Sequence, residues 1–186
     1  MKNLLAILIL GFGFDLYAAS TNENLVITPI IGVERVQKFQ PTIQMKTRAV
    51  YGLRAVYKLP IASAEGEVTR GQDTSTDVTN STTYKDVEDK GRLGLRGTFE
   101  MGQFFSTYLR GGAQARQNVQ TKTVSGVSTT KTTVSKIQPY IGFGLEIKVL
   151  QYFSLSADIT ATHTPANDPN LKDYELQPSL GFSLRF

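Results

Sequence analysis

The chain contains no cysteine, no tryptophan and a single histidine among its 186 residues. Without cysteine the fold has no disulfides, and without cysteine or paired histidine no structural metal centre is expected. The glycines also lack the strand–loop–helix context and the lysine of a phosphate-binding loop. We therefore expect no cofactor and no metal.

Net charge and long apolar runs are scarce as well. The formal net charge is only +4, and the charged residues are spread along the chain rather than clustered. Such a mild and even charge argues against a nucleic-acid partner. After residue 20 no apolar run approaches the roughly 20 residues that a spanning helix needs. If this part of the chain enters a membrane, it must do so with strands.

The first 20 residues form a segment of their own. Lys2 precedes an apolar run at residues 4–14, and small residues follow at Ala18, Ala19 and Ser20. This layout is typical of a secretory signal peptide, with a membrane anchor or a buried first helix as the alternatives. We predict a signal peptide at 1–20 and one exported domain at 21–186.

The exported part alternates apolar and polar residues, which is the pattern of strands with two unlike faces. Connections near Pro60, Gly102 and Gln151 are short, whereas those between the other strands are longer or richer in Ser, Thr, Asn and Pro. This asymmetry is typical of an outer-membrane barrel. Eight strands are predicted near 25–36, 46–59, 62–74, 84–101, 104–122, 132–149, 152–163 and 173–186.

The two faces of these strands differ sharply in charge. Hardly any charge falls on the apolar face, and aromatic residues mark its short-turn ends at Tyr57, Phe99, Phe105, Phe153 and Phe186. In a soluble sandwich the apolar face would be the core, and that alternative stays open here. We favour an all-β, eight-stranded antiparallel up-and-down transmembrane β-barrel in the bacterial outer membrane.

In such a barrel the charged face lines the lumen, which is only wide enough for side chains. Seven acidic and nine basic residues share this face, so we expect ion pairs that fill the lumen and leave no continuous pore. The predicted lumen charge network comprises Glu34, Arg48, Arg54, Arg92, Arg96, Arg110, Glu146, Asp158, Glu175 and Arg185. Lys58, Glu65, Glu67, Glu100, Arg116 and Lys148 have the same phase, although the segment around Glu65 and Glu67 is weakly patterned.

Three stretches, "FFSTYLRGGAQAR", "PYIGFGLEIKVLQYFSLSADIT" and the ending "LGFSLRF", carry a family resemblance. The chain resembles the small eight-stranded outer-membrane barrels, the class of outer membrane protein X and of the membrane domain of outer membrane protein A. Ser179, Gly181, Leu184 and Phe186 match the C-terminal signal read by the barrel assembly machinery. The resemblance implies that machinery, outer-membrane lipid and lipopolysaccharide as partners, but no single activity. We expect a monomer.

Enzymatic activity is not expected. His163 is predicted on the lipid side, and lipid A deacylases of this architecture place a serine two residues after such a histidine. Here that position is Pro165. We therefore predict that the chain has no catalytic residue, with a lipid-modifying enzyme as a minor alternative.

Two segments rich in Thr, Ser and Val, at 68–86 and 118–136, are predicted to continue as sheet above the membrane. Ser125-Gly126 is the expected turn of the second hairpin. Such a sheet would have a free edge able to accept a strand from another protein, and mobile shielding loops are the alternative. The predicted function is structural or surface-interaction, adhesion-like in kind, with a narrow channel as a further alternative.

Overall fold

The computed structural model describes residues 24–38, 44–77, 81–150, 152–164 and 174–185. Among these residues, no helix is long and apolar enough to cross a membrane. The nine strands of the described residues are β1 Leu25–Lys38, β2 Gln44–Lys58, β3 Ser63–Asp77, β4 Thr82–Met101, β5 Phe105–Val124, β6 Val127–Val134, β7 Gln138–Leu150, β8 Phe153–His163 and β9 Tyr174–Arg185.

Eight of the strands close into an antiparallel barrel. Each of β1 to β4 pairs with the next, β5 pairs with β7, β7 pairs with β8, β8 pairs with β9, and β9 returns to β1. Strand β6 stands outside this ring and pairs with the upper part of β5. The predicted eight-stranded up-and-down barrel is therefore confirmed, with one additional strand that projects from it.

Burial along the strands identifies which face is inside. Charged and polar side chains point inward, as Arg54 and Gln114 illustrate with full burial, while large apolar side chains point outward. Leu93 and Ile141, for example, remain 61% and 64% exposed. A soluble sandwich requires the opposite arrangement, so that alternative is wrong.

The outer apolar band has the height of a bilayer core. On β4 the outward residues from 91 to 101 are small or apolar, and ten intervals of about 3.3 Å at a tilt of about 40° rise roughly 25 Å. Above this band Asp89 of β4 pairs with Arg70 of β3, with an Nε–Oδ1 distance of 2.6 Å. This exposed ion pair marks the upper limit of the band.

The predicted turns are found at both ends of the barrel. Short turns occupy 59–62 and 102–104, and Tyr152 lies in a third. At the other end Ser125 and Gly126 form a two-residue turn, with φ of 48° and 85°. Positive φ at both positions is the geometry that matches the twist of a hairpin, so the prediction of this turn is confirmed.

The predicted strand at 132–149 is wrong in extent, because the chain leaves the sheet at residues 135–137. Strand β5 has two partners on the same side: β6 along Gln117–Val124 and β7 along Phe105–Gln114. A single strand cannot follow both the projecting sheet and the closing barrel wall. The segment therefore divides into β6 and β7, and β3 and β4 extend further upward than predicted.

Two prolines explain an interruption in the seam where β9 returns to β1. The register places Pro29 opposite Phe182 and Pro178 opposite Val33, and both of these pairings are missing from the ladder. Proline has no N–H to donate, so the ladder is broken at both positions. Inside the barrel the Thr28 and Ser183 hydroxyls lie 2.9 Å apart and bridge the first gap.

Candidate functional site

The middle of the lumen is occupied by three arginines and three carboxylates. Arg54 donates from Nε to Glu67 and from Nη1 to Asp158, both at 2.8 Å. Arg110 donates to Glu65 at 2.7 Å and to the same oxygen of Glu67 at 2.5 Å. Arg92 is the third cation and also contacts Glu67. Because every carboxylate here meets an arginine, the charges of this central layer balance.

Two inward tyrosines complete the plug. The Tyr108 hydroxyl donates to Asp158 at 2.9 Å, and the Arg96 guanidinium lies 3.6 Å from the Tyr108 ring centroid. Tyr140 lies between Arg92 and Arg110, at 5.8 and 5.7 Å from its ring centroid. Arginine over an aromatic ring is a favourable packing in a desolvated interior.

Inward glycines provide the space that these rings occupy. A Cβ on Gly144 would lie 2.3 Å from the Tyr108 ring carbon Cζ, and one on Gly94 would lie 2.5 Å from the Tyr140 hydroxyl. Real side chains do not approach so closely. Gly94 of β4 and Gly144 of β7 are therefore required by the plug.

Nearer the long-hairpin end lies a second charged layer, made of Arg48, Lys90 and Arg116 with Glu34, Glu88 and Glu175. Arg48 contacts Glu34 at 2.7 Å and Glu88 at 2.8 Å, and Lys90 contacts all three carboxylates. One oxygen of each carboxylate lies within 4.8 Å of the others, a spacing that would also suit a cation. The three side-chain cations already occupy that role, and this layer is balanced in charge.

A third group lies at the short-turn end. Glu146 accepts from Arg96 at 2.6 Å and from Arg185 at 2.7 Å, and Lys148 pairs with Glu100 at 2.8 Å. Beside these groups a cavity of about 330 Å³ opens at the mouth of the barrel. This end is therefore less completely filled than the layers above it.

The structure brings the ten predicted network residues together along the lumen, eight of them buried and Glu175 and Arg185 partly buried. Glu65 and Glu67, whose phase was weakly patterned, also point inward at 3% exposure. Sequence reasoning missed Glu88 and Lys90. Both are an even number of residues from Arg92, so they share its inward face. In "YKDVEDK", however, charged residues occur on both faces, so no apolar–polar alternation shows which face is inside.

The residues of the predicted assembly signal fall on both faces of β9. Ser179 points inward and donates to Asp158 at 2.8 Å, and Gly181 is inward too, leaving room for Thr28 of β1. Leu184 points outward and is 43% exposed. Phe186 lies outside the described residues. Recognition of these residues by the assembly machinery stays a prediction.

The histidine considered for catalysis lies on the outer face. His163 is exposed at the upper end of β8, where it pairs with Tyr174 of β9. Pro165, which stands in the place of a serine nucleophile, lies outside the described residues.

Above the apolar band, β3 to β6 form a four-stranded projecting sheet (residues 70–77, 82–89, 117–124 and 127–134). Its outer face carries hydroxyl pairs, with Thr123 and Ser128 at 2.9 Å and Thr121 and Thr130 at 3.3 Å. All eight residues of β6 are exposed. Within the described part of the chain, β6 pairs with β5 alone, so its second edge is free.

The hydrogen-bond pattern shows which amides lie on that free edge. A two-residue turn makes its flanking residues, Val124 and Val127, a bonded pair, so odd-numbered residues of β6 bond to β5. Ser135 keeps this parity, because its N–H donates to the Arg116 carbonyl at 2.9 Å. The N–H groups of Ser128, Thr130, Thr132 and Val134 therefore point away from β5.

Comparison with known proteins agrees with this architecture. The model of the outer membrane protein β-barrel domain family matches residues 6–186. None of the curated proteins matches the chain in sequence. Solved structures with a similar fold include Neisserial surface protein A (14% identity, 89% of this chain and 98% of that chain covered, TM-score 0.61). The attachment invasion locus protein of Yersinia pestis is similar at 12% identity, with 87% and 95% covered and a TM-score of 0.55.

A third similar structure is the N-terminal β-barrel domain of Pseudomonas aeruginosa OprF, at 18% identity, with 88% and 98% covered and a TM-score of 0.53. At these identities the likeness concerns the fold alone.

Proposed function

Because the chain belongs to the outer membrane protein β-barrel domain family and lies in the bacterial outer membrane, we propose that it presents a binding surface outside the cell. The barrel is a closed, non-enzymatic anchor, and the projecting sheet is the part that contacts a partner. The short turns face the periplasm and the hairpins face outward. The observation that carries the proposal is the free edge of β6.

A free sheet edge offers unpaired N–H and C=O groups to a strand from another chain. Four donors of β6, on Ser128, Thr130, Thr132 and Val134, point to this edge. Threonine-rich faces keep the exposed sheet soluble, while Lys131 on the edge strand disfavours indiscriminate pairing. We therefore expect an extended segment of a surface protein to add to β6, with its backbone as the main recognition element.

The filled lumen supports the role of anchor. Ion pairs and two tyrosines occupy the middle of the barrel, where a pore would need continuous water. Two residues after His163 the sequence has Pro165 in place of a serine nucleophile, which supports a non-enzymatic function. One structurally similar protein is named for attachment and invasion, in agreement with a surface role.

Other partners follow from the location of the barrel. Outer-membrane lipid would contact the apolar band, and lipopolysaccharide would surround the exposed sheet. The assembly machinery would read the C-terminal signal. These contacts need no second copy of the chain, so we propose a monomer.

The edge can be tested with proline, which removes one N–H and is tolerated where that N–H is not in a ladder. Thr130→Pro combined with Thr132→Pro removes two free-edge donors and leaves the β5–β6 ladder intact. A photo-crosslinking residue placed at Ser128 then reports partners in the native membrane. We expect a discrete crosslinked species in the parent protein that is lost in the proline variant.

The matched control is Thr130→Ala with Thr132→Ala, which loses the side chains but keeps both donors. This variant should keep the crosslink if backbone pairing carries recognition. Equal loss in the alanine and proline variants would assign binding to the side chains instead. Retention in the proline variant would contradict strand addition.

A further inference from the structure

Charge is not distributed evenly along the described lumen. The central layer has three cations and three carboxylates, and so does the layer towards the cell exterior. The periplasmic mouth differs, because its cavity is lined by four cations and two carboxylates. The cations are Lys58, Arg96, Lys148 and Arg185, and the carboxylates are Glu100 and Glu146. Among the described side chains that line it, four minus two leaves a surplus of two positive charges.

Few carboxylates are available to the cations of the mouth. Glu146 receives Arg96 and Arg185 together, and it also accepts a hydrogen bond from Ser154 at 2.6 Å. The Nε of Arg185 is buried without a hydrogen-bond partner. Lys58 also lines the mouth and is exposed, while the ion pairs that Glu100 and Glu146 form there are with Lys148, Arg96 and Arg185. Donors therefore outnumber acceptors at this site.

The donors surround open space. The cavity has a volume of about 330 Å³, whereas buried ion pairs occupy the layers above it. Arg96 is held in place by the Tyr108 ring at 3.6 Å, so its guanidinium does not need to move to meet a ligand. Positive charge that exceeds its acceptors beside an accessible cavity is stabilised by a bound anion.

We propose that the periplasmic mouth binds a phosphate group between Lys58, Arg96 and Arg185. Arginine matches phosphate through paired donors, and lysine adds a point charge. A phosphate monoester carries about −1.5 to −2 charges at pH 7, which balances the surplus. The ligand is a free phosphate or phosphate ester from the periplasm, or the headgroup of an anionic phospholipid. This site is at the opposite end of the barrel from the projecting sheet and does not depend on its function.

The test uses the full folded chain in phosphatidylcholine nanodiscs, with ¹⁵N-labelled arginine. Inorganic phosphate is titrated against chloride at equal ionic strength, and the Nε–Hε resonances of Arg96 and Arg185 are followed. We expect a saturable shift with phosphate alone. Lys58→Gln and Arg185→Gln should each weaken the apparent affinity by about tenfold or more, the usual consequence of losing a charged hydrogen bond.

Lys85→Gln is the matched control, because it removes an exposed lysine from the outer face of the projecting sheet. It should leave the phosphate affinity unchanged. Lys58 is itself exposed, so its variant stays informative even if Arg185→Gln does not fold. Equal shifts with chloride and phosphate, or an unchanged affinity in Lys58→Gln, would overturn the proposal.

A second arm identifies the source of the phosphate. In phosphatidylglycerol nanodiscs without added phosphate, the same shifts would support the site and assign its ligand to the lipid headgroup. Shifts that appear only on addition of inorganic phosphate would assign it to a soluble ligand. The absence of a saturable shift in both arms would overturn the site altogether.

Discussion

Neutralising Glu67 should destabilise the barrel more than any single exposed charge would. Its carboxylate accepts from Arg54 at 2.8 Å and from Arg110 at 2.5 Å and contacts Arg92 as well, and the whole side chain is buried. Breaking a buried ion pair costs about 3–5 kcal/mol, because the remaining charge is left uncompensated. Glu67→Gln keeps one acceptor oxygen, so we expect the lower end of that range, about 3 kcal/mol.

The measurement is denaturant unfolding of the refolded chain in lipid vesicles, with the folded fraction read from gel mobility. Glu100→Gln is the control, because it makes the same chemical change at a carboxylate that is 68% exposed and paired only with Lys148. Exposed pairs contribute about 0–1 kcal/mol. If the two variants lose equal stability, the central charge network does not hold the barrel together and the reasoning fails.

A double variant separates the pair energy from other effects. Arg54→Met removes one of the cations that Glu67→Gln would leave uncompensated. The loss in the double variant should therefore be smaller than the sum of the two single losses, by about 0.5–3 kcal/mol. Strict additivity would indicate that the two residues act independently, in spite of their contact.

Further predictions concern packing, conduction, the exposed sheet and assembly. Gly144→Ala should cost about 1–3 kcal/mol of unfolding free energy, because its Cβ would overlap Tyr108. Gly97→Ala, where nothing lies within 4 Å, should be nearly neutral by the same assay. Purified protein in a planar bilayer should give no stable single-channel steps, and such steps would contradict a plugged lumen. Hydrogen exchange in nanodiscs should be slow at odd-numbered amides of β6 and fast at even-numbered ones; uniform exchange at the rate of an unstructured peptide would exclude the projecting sheet. Deleting Phe186 should lower outer-membrane levels on quantitative blots, and unchanged levels would argue against the assembly signal.

Several parts of this fold follow from local pattern. A residue faces lipid or lumen according to its parity, and lipid excludes charge, so the sequence alone assigned Glu65 and Glu67 to the interior. The turn at Ser125-Gly126 was predictable for a similar reason, since a two-residue hairpin needs residues that accept positive φ. The number of barrel strands was also predictable, because each alternating segment bounded by turns crosses the membrane once.

The pattern fails where both faces meet water. In the segment 127–137 neither face is apolar, so alternation could not show where β6 ends and β7 begins. Around Glu88 and Lys90 charges occupy both parities, and these two members of the upper charged layer remained hidden for that reason. The apolar–polar alternation arises because one face of each strand contacts lipid, so it is absent from strands that extend beyond the bilayer.

The sequence by itself determined which side chains enter the lumen, but only the tertiary structure decided which of them meet. Arg54 contacts Asp158, 104 positions away, because the tilt and stagger of the closed strands bring β2 and β8 to the same level. The same stagger places two charge-balanced layers one above the other and leaves the surplus of cations at the periplasmic mouth. Strand stagger is a property of the closed ring of backbone hydrogen bonds, and no local run of residues encodes it.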